Sequence, residues 1–403
     1  MKKLFLLTII VLSFVNLSAQ EGLKFSAQIR PRFEMDSKDF KSSTLPNTFT
    51  VFRTRLGLSF SPSDNLTGFV QIQDSRTFGE EATTTTNTKN LDLHQAYFKV
   101  ENIFDLPVDV KLGRMEVSYG SERFIGAVNW NNVGRAFGGG IFTLKTDAVN
   151  IDFFALKEFE KSNFGDSLDQ SVYGLSFDIG GLKNYKIQPL IIWQRSSPTD
   201  LLSRFTFGTY VKGTLGNFDH EIDAGYQAGK IFAGNRNQTV SAFILSYAAN
   251  YTFESDLKPF IGAQIDYTSG DDNPADDDYK TYASLYGTGH KYFGYMDYFV
   301  NLVNDTYGLG IMDVVGKVGF SPITPLKINL HFHVFQANED YGLINGSTSK
   351  NFGSEIDLVA SYKYNSSITF EGGASMFMPG DIFKERRGKD TSTWLYLMAV
   401  ANF

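Results

Sequence analysis

Apolar and polar residues alternate with period two along most of this chain. In "LKFSAQIRPRFEM" (23–35), Leu23, Phe25, Ala27, Ile29, Pro31, Phe33 and Met35 share one face. Lys24, Ser26, Gln28, Arg30, Arg32 and Glu34 share the other. Period two describes a strand with one oily and one wet face. A run of this length exceeds the usual strand of a soluble sheet. The pattern recurs at 205–215, 259–269 and 353–365, and eighteen such segments are legible. They centre near residues 29, 55, 71, 96, 111, 140, 152, 175, 189, 209, 223, 244, 263, 315, 331, 358, 371 and 397.

The connections carry a second signal. Short turns at 61–65, 145–148, 213–217, 321–325 and 364–367 alternate with longer polar loops at 36–48, 79–90, 116–133, 268–306 and 337–351. An even number of strands joined this way describes a transmembrane antiparallel β-barrel with short periplasmic turns and long extracellular loops. A soluble sandwich or β-helix would have to bury the ionised residues of each wet face unpaired, at high cost. A closed barrel with lipid outside and water inside satisfies both faces and leaves no strand edge. The all-β barrel of about 18 strands is therefore the expected fold. Its last segment ends on Phe403, an aromatic terminus on an apolar stripe, which suits recognition by barrel-insertion machinery.

Lys2 and Lys3 followed by the apolar run Leu4–Val15 read as a secretory signal peptide, cut after Ala19. The expected organisation is thus a signal at 1–19 and a barrel at 20–403, placed in the outer-membrane lipid after export. The chain has no Cys, which excludes disulfides, thiolate metal sites and a lipoprotein anchor. Its formal charge of −7 argues against nucleic acid as a partner.

Charge placement says more than net charge. Of thirteen arginines, eight fall between Arg30 and Arg135, and none between 251 and 350. Alternation puts Arg30, Arg32, Arg53 and Arg55 on wet faces of the first two strands, with Glu34 and Asp74 as candidate partners. A crowded guanidinium wall either stiffens the barrel through ion pairs or forms an electropositive constriction that draws acidic solutes. The loop "SGDDNPADDD" holds Asp271, Asp272, Asp276, Asp277 and Asp278, a weak Ca²⁺ candidate without EF-hand spacing; no other cofactor is expected. His331 and His333 share a wet face but lack an evident third metal ligand. His94 beside Asp92 and Gln95 has no serine to activate, so an enzyme is not expected. A structural or adhesin barrel remains the third class.

The pieces "RTRLGLSF", "VQIQDSR", "LHQAYFKV", "LGRMEVSYGSERFIGAVNWNNVGRAF", "SGDDNPADDDYKTYASLYGTGHKYFGYMDYF" and the closing "STWLYLMAVANF" resemble, in this order, the alginate-export family of outer-membrane porins. The resemblance implies an 18-stranded barrel and an arginine-rich constriction that passes an anionic uronic-acid polysaccharide, with loops and a periplasmic turn gating it. Arg53, Arg55, Arg76, Arg114, Arg123 and Arg135 sit in matching motifs, whereas Arg30 and Arg32 match by strand position. Where the family commonly has an acidic residue after the "GRAF" segment, this chain has glycines 138–140. The expected function is a channel for anionic saccharides or other acidic solutes, with a general diffusion porin as the alternative.

Overall fold

A computed structural model describes residues 22–86, 90–160, 169–197, 201–233 and 235–403. The expected signal peptide and its cleavage site lie outside the described residues.

Eighteen antiparallel strands form one closed wall. They are β1 (Leu23–Asp36), β2 (Asn47–Ser63), β3 (Leu66–Thr77), β4 (Leu91–Val100), β5 (Val108–Met115) and β6 (Phe137–Lys145). Then follow β7 (Val149–Phe159), β8 (Asp169–Ile179), β9 (Tyr185–Ser197), β10 (Leu202–Leu215), β11 (Phe218–Ala233) and β12 (Arg236–Thr252). The circuit ends with β13 (Phe260–Thr268), β14 (Ile311–Ile323), β15 (Leu326–Gly342), β16 (Thr348–Lys363), β17 (Ile368–Pro379) and β18 (Ser392–Asn402). Each strand pairs with its sequence neighbours, and β1 also pairs with β18 through Phe33↔Leu397 and Ile29↔Ala401. The seam ends in two main-chain bonds, Ala27 N to Phe403 O at 3.1 Å and Phe403 N to Ala27 O at 2.9 Å. Every one of the eighteen predicted centres falls inside a strand.

The two faces differ as the alternation requires. Phe25, Leu56, Leu58, Val70, Ile72, Leu245, Phe332 and Leu397 stand outward and exposed around the whole circumference. A soluble monomer does not carry an apolar belt of this extent, and in lipid it is the expected surface. No helix among the described residues is long and apolar enough to cross a membrane; the crossing is made by strands.

Two expectations about loops change. The predicted loop 337–351 is mostly ladder, because Tyr341 pairs with Ser349 and Gly342 with Thr348, leaving a turn at 343–347. The connection 268–306 is long, as read, but it does not stay outside. Its tip at 271–278 is largely exposed, with Asp278–Tyr279 adding in parallel to the edge of β12. Its remainder turns into the barrel and carries a short helix, α1 (Leu302–Asp305). A second short helix, α2 (Asp381–Arg386), lies in the β17–β18 connection. Phe299 packs with Phe335, Phe352, Phe377 and Phe383 at centroid distances of 4.8–6.4 Å. All five are nearly inaccessible. The long-loop end of the lumen beside β15–β17 is therefore a packed apolar core.

Candidate functional site

The segment 116–136 leaves the wall after β5, crosses the lumen, and returns to start β6. Its far end is fixed by Arg123. That guanidinium meets Asp223 Oδ2 at 3.3 Å and Asp266 Oδ1 at 2.9 Å, and donates to Ser246 Oγ at 3.0 Å. These partners lie on β11, β13 and β12. Arg123 also stacks on Tyr292, 3.7 Å from the ring centre. Burial alone would lower its pKa, but Asp266, Tyr292 and Asp223 outweigh that and raise it.

The near end is fixed by four arginines of β1 and β2. Arg30 donates to the carbonyls of Asn129 (2.6 Å) and Asn131 (2.9 Å). Arg53 donates to the same two carbonyls at 3.0 and 3.1 Å, and to Gln28 Oε1. Arg32 donates to Trp130 O at 2.7 Å and lies over its indole ring. Arg55 reaches Val133 O, Asn129 Oδ1 and Gln73. The four are only 3–6 % exposed. Since β2 and β12 stand about half-way round the barrel from each other, the segment spans the lumen from wall to wall.

The second infolded loop runs alongside. Gly126 N donates to Tyr286 O (2.8 Å), Tyr286 N to Phe124 O (2.9 Å) and Thr288 N to Glu122 O (2.9 Å), a short parallel ladder inside the barrel. Trp130 stacks flat on His290 with centroids 3.9 Å apart. Arg135 donates to the carbonyls of Tyr286, Gly126 and Gly287. Burial lowers its pKa, offset in part by Glu158 and Tyr286. The two loops thus form one plug.

Charge is unevenly met at the basic wall. Arg32 has Glu34 at 2.8 Å, and Arg55 has Glu116 at 3.1 Å. Glu116 also lies 2.8 Å from His94 Nε2. Its burial would raise the carboxyl, but His94 and Arg55 outweigh this and hold it below the ordinary range. Among the described residues Arg30 and Arg53 meet only neutral acceptors, and the Nε of Arg30 is buried without a hydrogen-bond partner. The wall from β11 to β16 is acidic, with Asp223 and Asp266 across the lumen from the arginines and Asp313, Glu355 and Asp357 further round towards β1, all buried. His333 Nδ1 there sits 2.8 Å from Asp313. Below the plug, Lys212, Lys291, Lys317, Glu221, Asn250 and Tyr210 line a cavity of ≈ 550 Å³.

Two of the eight predicted pore arginines are not in the lumen. Arg76 pairs across the sheet with Phe52, and Arg114 with Ala96 and Gly138. Residues directly opposite share a face, and both faces here are the outer one. Arg76 binds Asp74 and Glu81 there, so Asp74 is no partner of the basic wall. Parity marks both: Val70 and Ile72 precede Asp74 and Arg76 on one face, and Val110 and Leu112 precede Arg114. The partners His94, Gln28, Gln73 and Glu116 were not anticipated; only wet-face parity with the arginines flags the first three.

The aspartate-rich tip folds on itself. Asp271 accepts from the Asn273 amide at 3.1 Å, Asp272 pairs with Lys280 at 2.6 Å, and Asp276 accepts from the Asp278 amide at 2.9 Å. These contacts shape a loop; among the described residues no group of three or more His, Asp or Glu has metal-holding geometry.

Comparison with solved structures returns outer-membrane porins. OccAB4 of Acinetobacter baumannii superposes with a TM-score of 0.63 at 10% identity, covering 96% of this chain and 99% of its own. OpdO of Pseudomonas aeruginosa gives 0.64 at 11%, covering 95% and 97%. OpdK of the same organism, solved with vanillate, gives 0.60 at 9%, covering 94% and 98%. No curated protein matches. The likenesses agree with the barrel, its lipid-facing belt and its infolded loops in describing an outer-membrane channel. The family model for alginate export matches residues 21–396, and this chain belongs to that family.

Proposed function

We propose that the channel passes anionic saccharides or other acidic solutes, drawn by the basic wall of β1 and β2. The carrying observation is the charge balance there: among the described residues four guanidiniums pair with two carboxylates, and Arg30 and Arg53 donate to neutral oxygens. In a narrow, poorly screened passage such an excess raises the local concentration of anions. Guanidinium forks match carboxylates in particular. The family's description as alginate exporters and the carboxylate vanillate found with OpdK are in keeping with acidic cargo. The pore is passive, so the solute gradient sets direction. Insertion of the barrel through the closing strand that ends on Phe403 belongs to the same proposal.

The test is the reversal potential of purified protein in planar bilayers under a salt gradient, followed by block with uronic-acid oligomers. Anion preference that weakens with ionic strength, and block by acidic but not neutral oligomers, are the expected results. Equal passage of both ions and no acid-specific block would leave a general diffusion porin.

A further inference from the structure

Resting on the reading of an acidic-solute channel, we infer that residues 129–133 are a self-ligand: the protein's own main chain occupies the anion site, and an incoming carboxylate opens the plug by exchange. Six hydrogen bonds of 2.6–3.3 Å run from Arg30, Arg32, Arg53 and Arg55 to the carbonyls of Asn129, Trp130, Asn131 and Val133. A carbonyl fills the donor geometry but leaves the charge of the guanidinium standing. A carboxylate accepts two parallel bonds from the fork and cancels that charge. The site is thus filled by the weaker of two possible ligands.

The segment is also built to leave. Val128 before it has φ 52° and Gly134 after it φ 80°. A β-branched residue in the left-handed region is a strained outlier held there by its surroundings. Between these two bends Asn129, Asn131 and Val133 are exposed, whereas residues 123–127 just before them are buried. Local opening is cheapest where few side chains are packed. Trp130, packed on His290 and Tyr396, is the knuckle's side-chain anchor, so 129–133 lifts by unstacking that ring while Phe124, Ile125 and the Arg123 anchor stay docked.

Ser75 Oγ donates to the main-chain carbonyl of Asn132 at 2.8 Å, and the Asn132 side chain donates to Phe52 O and Arg76 O beside it, so cysteines at 75 and 132 are placed to tie the knuckle to β3 by a disulfide or a short thiol cross-linker. The native chain has no cysteine, and Ser75→Cys with Asn132→Cys gives a single, reducible tether. The probes are a uronic-acid trimer and a neutral glucose trimer, read by single-channel recording and by amide exchange of 129–133. The acidic trimer is expected to raise open probability and exchange severalfold in wild type and in the reduced variant, and to do neither in the oxidised one. The neutral trimer is expected to be inert. If the tether fails to close, a short thiol cross-linker serves the same purpose. The inference is overturned if the acidic trimer leaves exchange unchanged, opens oxidised and reduced protein alike, or acts no better than the neutral one. Anion preference that survives such a result leaves the transport reading in place and removes the self-ligand alone. If instead wild type shows no anion preference, the transport reading falls, and the exchange response of 129–133 still decides whether a carboxylate displaces the knuckle.

Discussion

Replacing Arg123 by Ala is the most direct way to undock the plug. The Arg123, Asp223 and Asp266 side chains are 4, 3 and 0 % exposed. Removing the cation leaves two carboxylates facing each other out of water, and breaking a buried pair in this way costs about 3–5 kcal/mol. Loss of the guanidinium from the Tyr292 face adds about 0.5–2 kcal/mol. The wall strands keep their ladders, so the cost falls on docking of the two loops. Even about 3 kcal/mol corresponds to roughly two powers of ten in the docking equilibrium. Amides in the ladder between the loops (Gly126, Tyr286 and Thr288) should lose protection from hydrogen exchange by about that factor, and open probability should rise with it. Adding Asp223→Asn and Asp266→Asn removes the unpaired charge and should restore most of the protection. Unchanged exchange at those amides in a folded Arg123→Ala protein would refute the wall-to-wall anchor.

Further outcomes follow from the same geometry. Val128→Gly relieves strain of about 1–3 kcal/mol, offset in part by glycine's greater freedom when unfolded; open probability should fall severalfold, and a rise would contradict a strained bend. Glu116 is held below the ordinary carboxylate range, so its contribution is present above about pH 4.3 and lost as pH falls through its lower folded value. Plug exchange should therefore increase only below that pH, and less so in Glu116→Gln; an identical acid response in the variant counts against this pair. Arg76→Ala with Arg114→Ala should leave reversal potential unaltered, because both charges face away from the lumen; a shift towards cations would place them on the path.

Alternation by itself determined the barrel. Period two is a local property of strand geometry, and lipid on one side and water on the other leave it only one closed solution, so every strand centre and most connections were readable. The same parity separates Arg30, Arg32, Arg53 and Arg55, which face inward, from Arg76 and Arg114, which face outward. Motif membership obscured that distinction, since a motif records which residues occur together but not which way each one points. What meets the inward arginines was settled only by tertiary structure. The carbonyls of residues 129–133 and the carboxylates of Asp223 and Asp266 reach their partners across a lumen whose width no local pattern encodes. The aromatic core at the long-loop end follows the same rule: Phe335 and Phe377 sit on wet faces of their strands, and they are buried because a loop distant in sequence folds in to cover them.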